Sequence, residues 1–140
     1  MVTPGFGTGV QQLIHCVEPH YTFEMSTESL ELMYKNILEV VERENLSCVA
    51  IVPISTGFFG MSVSDGAAIA MRTIERFLQR TEWQGILGFV CPGDYVYKAF
   101  TARKNEMVNE SDELVGNASL QSAAKIPVPA IGGFVHWLPH

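Results

Sequence analysis

The residues best suited to chemistry form one short run, Pro53-Ile54-Ser55-Thr56-Gly57-Phe58-Phe59-Gly60. From Val49 to Met61 the sequence reads VAIVPISTGFFGM, and SVSDGAAIA follows. An apolar strand therefore runs into a loop, and the loop opens onto a helix. Ser55, Thr56, Gly57, Phe58 and Phe59 would present successive backbone N–H groups, a concave nest for an anion. Gly57 and Gly60 permit tight turns and close approach of a ligand to the main chain. The helix behind the loop adds the positive end of its dipole. This arrangement holds phosphate without Lys or Arg. Phe58 and Phe59 are hard to bury side by side, so one ring faces inward and one outward, where a flat surface suits a sugar or base. A plainer reading stands beside this one: Gly-containing strand-to-helix loops are common connections, and both rings could pack in the core.

A second candidate is Cys91-Pro92-Gly93-Asp94, at the end of another apolar run. Ligands of open parallel sheets bind outside the carboxyl ends of strands, and both runs end that way. Cys91 reads first as a small apolar filler rather than a reactive thiol. Asp94 reads as a cap for the helix that follows. Ser55 and Thr56 have no paired base nearby, so no catalytic nucleophile is assigned. His15, His20, His136 and His140 have no ligand-like spacing with a carboxylate, so no metal and no cofactor is expected.

The elements that must position these residues follow from periodicity. Val10 to Val17 (VQQLIHCV) reads as a buried strand stopped by Pro19, after a turn-rich TPGFGTG. Leu30, Met33, Tyr34, Ile37, Leu38 and Val41 recur at helical spacing behind a Ser26 or Thr27 cap, with Asn45 as the stop. Glu31–Lys35 and Glu39–Arg43 are i,i+4 pairs in the favourable order. Cys48 to Ile54 is a strand apolar on both faces, the pattern of a parallel sheet covered by helices. The next helix carries Ala67, Ala70, Met71, Ile74, Phe77 and Leu78, with Ser62 or Ser64 as cap and Asp65 in its first turn. Gly85 to Cys91 is the third strand, and Tyr95 to Val108 the last helix, with Tyr97, Phe100 and Met107 on one face. From Asn109 to Ala124 the composition turns to Ser, Asn, Asp and Ala, a linker or a weakly ordered surface segment. The apolar ending GFVHWL reads as a strand or docking tail, because its aromatic residues would otherwise expose a large patch. The expected domains are thus an α/β unit over 1–108 and, over 109–140, a linker plus a tail docking on that unit or on a second subunit. The alternation of strands and helices gives an α/β sandwich with right-handed crossovers.

Composition bounds the function. The chain has 140 residues, 47% hydrophobic and 17% charged, which describes a single globular unit. Its net charge of −6 and scattered basic residues argue against a nucleic-acid backbone as partner. No apolar run reaches membrane-spanning length, and the start lacks a targeting pattern. Three widely spaced cysteines, Cys16, Cys48 and Cys91, suggest buried free thiols in a reducing, intracellular setting, cytoplasmic or nuclear.

The run PISTGFFGMSVSDGAAIA resembles the second phosphate loop of the macro domain family and the alanine-paired helix behind it. TPGFGTGVQQLIHCVEP is similar to that family's T-x-G-[FY]-x-L…IH-x-V-G-P segment, with Glu18 in place of its usual Gly. GFVC resembles its last strand. The likeness extends from about Thr3 to about Phe100. It implies a three-layer α/β/α sandwich and binding of ADP-ribose, a related nucleotide diphosphate or an ADP-ribosylated protein. By position, Ser55, Thr56, Gly57, Phe58, Phe59 and Gly60 would hold the diphosphate, with Phe59 against the distal ribose. Cys91 and Pro92 would border the adenosine pocket. The family's early acidic strand, its Asn-Ala-Ala-Asn strand end and its glycine-rich first loop do not precede Thr3. The expected fold is therefore macro-like but truncated or rearranged at the N-terminus, and the sheet needs repair where a central strand is missing. GFVHWL could add a strand, within the chain or across a homodimer. Alternatively the tail is a permuted form of the missing half, which EMVNESDELVGNAS and AIGGF faintly echo. Binding and a ligand-free interaction or dimerisation role stay open, ahead of ADP-ribosyl hydrolysis.

Overall fold

The computed structural model describes residues 1–16, 26–54 and 61–110 in full, and 111–115 and 133–137 as backbone. Expectations placed on Ser55–Gly60, Val17, Glu18, Pro19, His20 and His140 lie outside the described residues. The elements run β1 (Val2–Pro4), β2 (Gln12–Ile14), α1 (Thr27–Arg43), β3 (Cys48–Ile51), α2 (Val63–Arg80), β4 (Ile86–Cys91), α3 (Asp94–Val115) and β5 (Gly133–Trp137).

Each helix starts and stops for a local reason. Ser26 caps α1 by accepting from the Ser29 N–H at 3.1 Å. At the other end Asn45 takes a left-handed φ of 51°, its N–H reaches the Glu42 carbonyl, and the Leu46 N–H reaches Val41. These two bonds are the Schellman closure, with Asn in the place usually held by Gly. Ser62 caps α2 by accepting from the Asp65 N–H, while its hydroxyl donates to the Asp65 carboxylate at 2.7 Å. Gly93, at φ 81°, precedes α3, and its carbonyl accepts from the Tyr97 N–H. That corrects the role given to Asp94, which lies in the first turn, where its charge complements the helix dipole. The helix also continues past 108 to Val115, because no Pro or Gly interrupts the chain between Gly93 and Gly116.

The core is the meeting of one helix layer with one sheet face. All six stripe positions of α1 are buried. On α2, Ala67, Ala70, Met71, Ile74 and Phe77 are buried, with Leu78 partly so. Val49 and Ile51 of β3 and Leu87, Phe89 and Cys91 of β4 belong to the same cluster. β3 and β4 are parallel, and β5 pairs antiparallel with β4 from Leu87↔Trp137 to Cys91↔Gly133. The tail strand thus joins the sheet of its own chain.

Two strand expectations change. β3 ends at Ile51, because Pro53 lacks an N–H and the Ile54 N–H goes to a side chain instead. Its faces also differ: Cys48 and Ala50 are exposed among the described residues. Of the described residues 10–16 of that run, only Gln12–Ile14 form a strand, β2, paired with β1 in a separate two-stranded sheet. A two-stranded ribbon on the surface cannot bury both faces, and Val10 is 52% exposed. Cys16 and Cys48 are accordingly exposed, and only Cys91 is buried as expected. The Glu31–Lys35 pair forms at 2.8 Å. Arg43, expected on Glu39, binds Glu44 instead.

Candidate ligand site

Parallel pairing brings the carboxyl ends of β3 and β4 side by side. Residues 55–60 follow the first end in sequence, and Cys91-Pro92 closes the second. The described residues on both sides of 55–60 are anchored. On the incoming side the Ile54 N–H donates to the Tyr34 hydroxyl at 3.1 Å. On the outgoing side the reciprocal Ser62–Asp65 bonds fix the first turn of α2. Val63 and Ala67 are buried directly behind it. The separation of the two anchors is therefore set by the α1–β3–α2 core.

Tyr34 was legible only as one position of an apolar stripe. It is fully buried, and a buried phenol needs a polar partner, which is the signal that marks it out. Burial pushes its pKa well up, so the hydroxyl stays protonated and can accept from Ile54. Its ring meets Phe89 edge-on at 6.1 Å, and Phe89 lies 4.6 Å from Phe100. This aromatic column forms the floor under the end of β4.

Cys91 sits on that floor with 1% exposure. Burial raises its thiol pKa, so the neutral thiol is favoured and nucleophilic use is not. Pro92 is exposed, as a pocket rim would be. Tyr95, in the first turn of α3, is 71% exposed and offers an aromatic face beside this rim. Sequence reasoning named it only as a helix start. Among the described residues no group of three or more His, Cys, Asp or Glu is arranged to hold a metal ion. None of the helices searched is long and apolar enough to cross a membrane.

The strand end before residue 55 and the capped helix after residue 61 follow one another in the order of the resemblance. A sequence model of the Macro domain matches residues 1–70, half of the chain. The chain belongs to the Macro domain family. Its α/β fold is of macro type. The Oceanobacillus iheyensis macrodomain, solved with ADP, superposes with a TM-score of 0.68 at 28% identity, over 79% of this chain and 58% of that one. A glycine-to-valine mutant of the same macrodomain, solved with ADPR, gives 0.68 at 29% identity, over 78% and 59%. Among curated relatives, an uncharacterized protein of Thermoplasma volcanium is 29% identical over 108 residues, 76% of this macro domain and 58% of that protein. Human ganglioside-induced differentiation-associated protein 2 is 32% identical over 81 residues, but the match spans 16% of its length. A Staphylococcus aureus protein-ADP-ribose hydrolase is 31% identical over 84 residues, 32% of its length. This macro domain therefore spans well under two-thirds of each of these relatives.

Proposed function

We propose that this macro domain binds ADP-ribose, free or attached to a protein. The diphosphate lies on the backbone N–H groups of Ser55, Thr56, Gly57, Phe58, Phe59 and Gly60. The adenosine side lies against Cys91, Pro92 and the ring of Tyr95. The observation that carries this reading is the superposition on a macrodomain solved with ADP. It is supported by the anchored residues on either side, Ile54 bound to Tyr34 and Ser62 bound to Asp65, since restraining the ends of a segment lowers the entropy lost when an anion enters.

Calorimetric titration of ADP-ribose tests this with wild type and Gly57→Glu. A carboxylate about 5 Å from the diphosphate is worth about 3 kcal/mol of repulsion at an effective dielectric of about 20, or more than a hundredfold in affinity. Heat from wild type and none from the variant is the expected outcome. Equal binding by both refutes the loop assignment. No heat from either leaves the ligand-free interaction domain as the reading.

A further inference from the structure

Among the described residues, two that carry a hydroxyl are buried, Tyr34 on α1 and Thr73 on α2. They use it differently. Thr73 donates to the Ile69 carbonyl at 2.7 Å, four residues back on its own helix. Tyr34 reaches a different element, where it accepts from the Ile54 N–H. A hydroxyl buried on one element and spent on the backbone of another fixes the two relative to each other.

The two strand ends beside the proposed site are held in unlike ways. Phe89 and Cys91 lie in β4, which is paired on both sides: Phe89 faces Ile51 of β3 and Val135 of β5. That end is set by the sheet. The register of β3 stops at Ile51, and Pro53 has no N–H with which to extend the ladder. Ile54 is therefore held by α1 instead. The same Tyr34 ring meets Phe89 edge-on, and Cys91 is close enough to the hydroxyl to push its pKa further up. One side chain thus spans from the ladder-held end to the end that has left the ladder. A cleft of about 500 Å3 lies elsewhere, where Gln11 and Gln12 meet Arg43 and Glu44 at the end of α1, just before β3 begins. A ligand lodged there would touch neither Tyr34 nor Ile54.

We infer that Tyr34 is a positioning residue for the phosphate side of the ligand site. Its hydroxyl fixes Ile54, the residue before Ser55, and so sets the affinity for a diphosphate without touching it. The inference rests on the ADP-ribose reading. It adds that the bond from Ile54 and the ligand are energetically coupled.

Calorimetric titration of ADP-ribose into the full chain compares wild type with Tyr34→Phe and Thr73→Val, each variant losing one buried hydroxyl. Tyr34→Phe should bind about five- to thirtyfold more weakly, the affinity equivalent of ordering the backbone of one residue. Thr73→Val should bind as wild type does. A weakening shared equally by both variants would reflect general loss of stability and overturns the inference. Equal binding by wild type and Tyr34→Phe overturns it too; if Gly57→Glu is still blocked, the ligand reading stands without it. No binding by wild type removes both. A second readout needs no variant. A bond that strengthens ligand binding is strengthened by the ligand to the same degree. Saturating ADP-ribose should therefore slow amide exchange at Ile54 in wild type by that same factor. An Ile54 amide indifferent to the ligand overturns the inference, even if Tyr34→Phe does not fold.

Discussion

Tyr34→Phe isolates the hydroxyl that holds Ile54, the described residue next to the proposed ligand loop. The phenyl ring keeps the edge-on contact with Phe89 and opens almost no cavity. What is lost is the 3.1 Å bond from the Ile54 N–H. A neutral hydrogen bond of this kind contributes about 1 kcal/mol net, and a donor left buried and unpaired would raise that to as much as about 3 kcal/mol. Ile54 is only half-buried, so water can partly replace the phenol, and the loss should stay near about 1 kcal/mol. Unfolding entropy of about 2.1 cal/mol/K per residue over this chain turns that into a Tm decrease of about 3 °C. Urea melts followed by circular dichroism give the free energy, and amide exchange at Ile54 gives the local effect. The variant should exchange faster there than wild type while Val49 and Ile51, in the β3–β4 ladder, remain protected. An unchanged melt with an unchanged Ile54 amide would refute the anchor. A loss beyond about 3 kcal/mol would show that the hydroxyl holds more than Ile54.

Gly85→Ala should destabilise by about 1–3 kcal/mol in the same melts, because a Cβ there would lie 2.5 Å from the Ser47 carbonyl oxygen and 2.5 Å from the Trp83 ring. The Trp83 indole is itself held by its bond to the Leu46 carbonyl at 2.7 Å, so the ring cannot swing away freely. Stability should also fall as pH rises past about 9. Below the ordinary thiol value of 9.0, Cys91 is neutral both folded and unfolded; above it the unfolded chain releases the proton while the buried thiol retains it. Tyr34 adds the same trend above its ordinary 10.0. Urea midpoints between pH 7 and 10 measure this, and Cys91→Ala should flatten the first part of the decline. In the folded protein at pH 8, iodoacetamide should modify exposed Cys48 well before Cys91.

The helices were legible because their stripes, caps and stops are local. Ser26, Ser62 and Asn45 each act within a few residues of their own positions, and the buried α1 stripe falls where periodicity puts it. α3 runs past the shift to polar residues at 109 because no Gly or Pro breaks it before Gly116. The sheet was less legible, because strand burial depends on neighbours that lie elsewhere in the sequence. Cys48, Val49, Ala50 and Ile51 look alike as letters, yet pairing and packing bury only Val49 and Ile51. β2 was expected to be buried from the same apolar reading, but its partner is the hairpin strand β1 and not the main sheet. The Gly-containing run and Cys91-Pro92, the proposed part of the site, were visible in the sequence. The Tyr34 anchor and the exposed Tyr95 ring were not, since each depends on which way one aromatic side chain faces in the folded chain.

Amide chemical-shift mapping during an ADP-ribose titration tests the central claim most directly, since it reports occupancy and position together. Saturable shifts confined to residues 55–60, to the flanking Ile54 and Ser62, and to Cys91 through Tyr95 are the expected result. A titration with no saturable shifts, or with shifts centred on the cleft between Gln12 and Arg43, would contradict it.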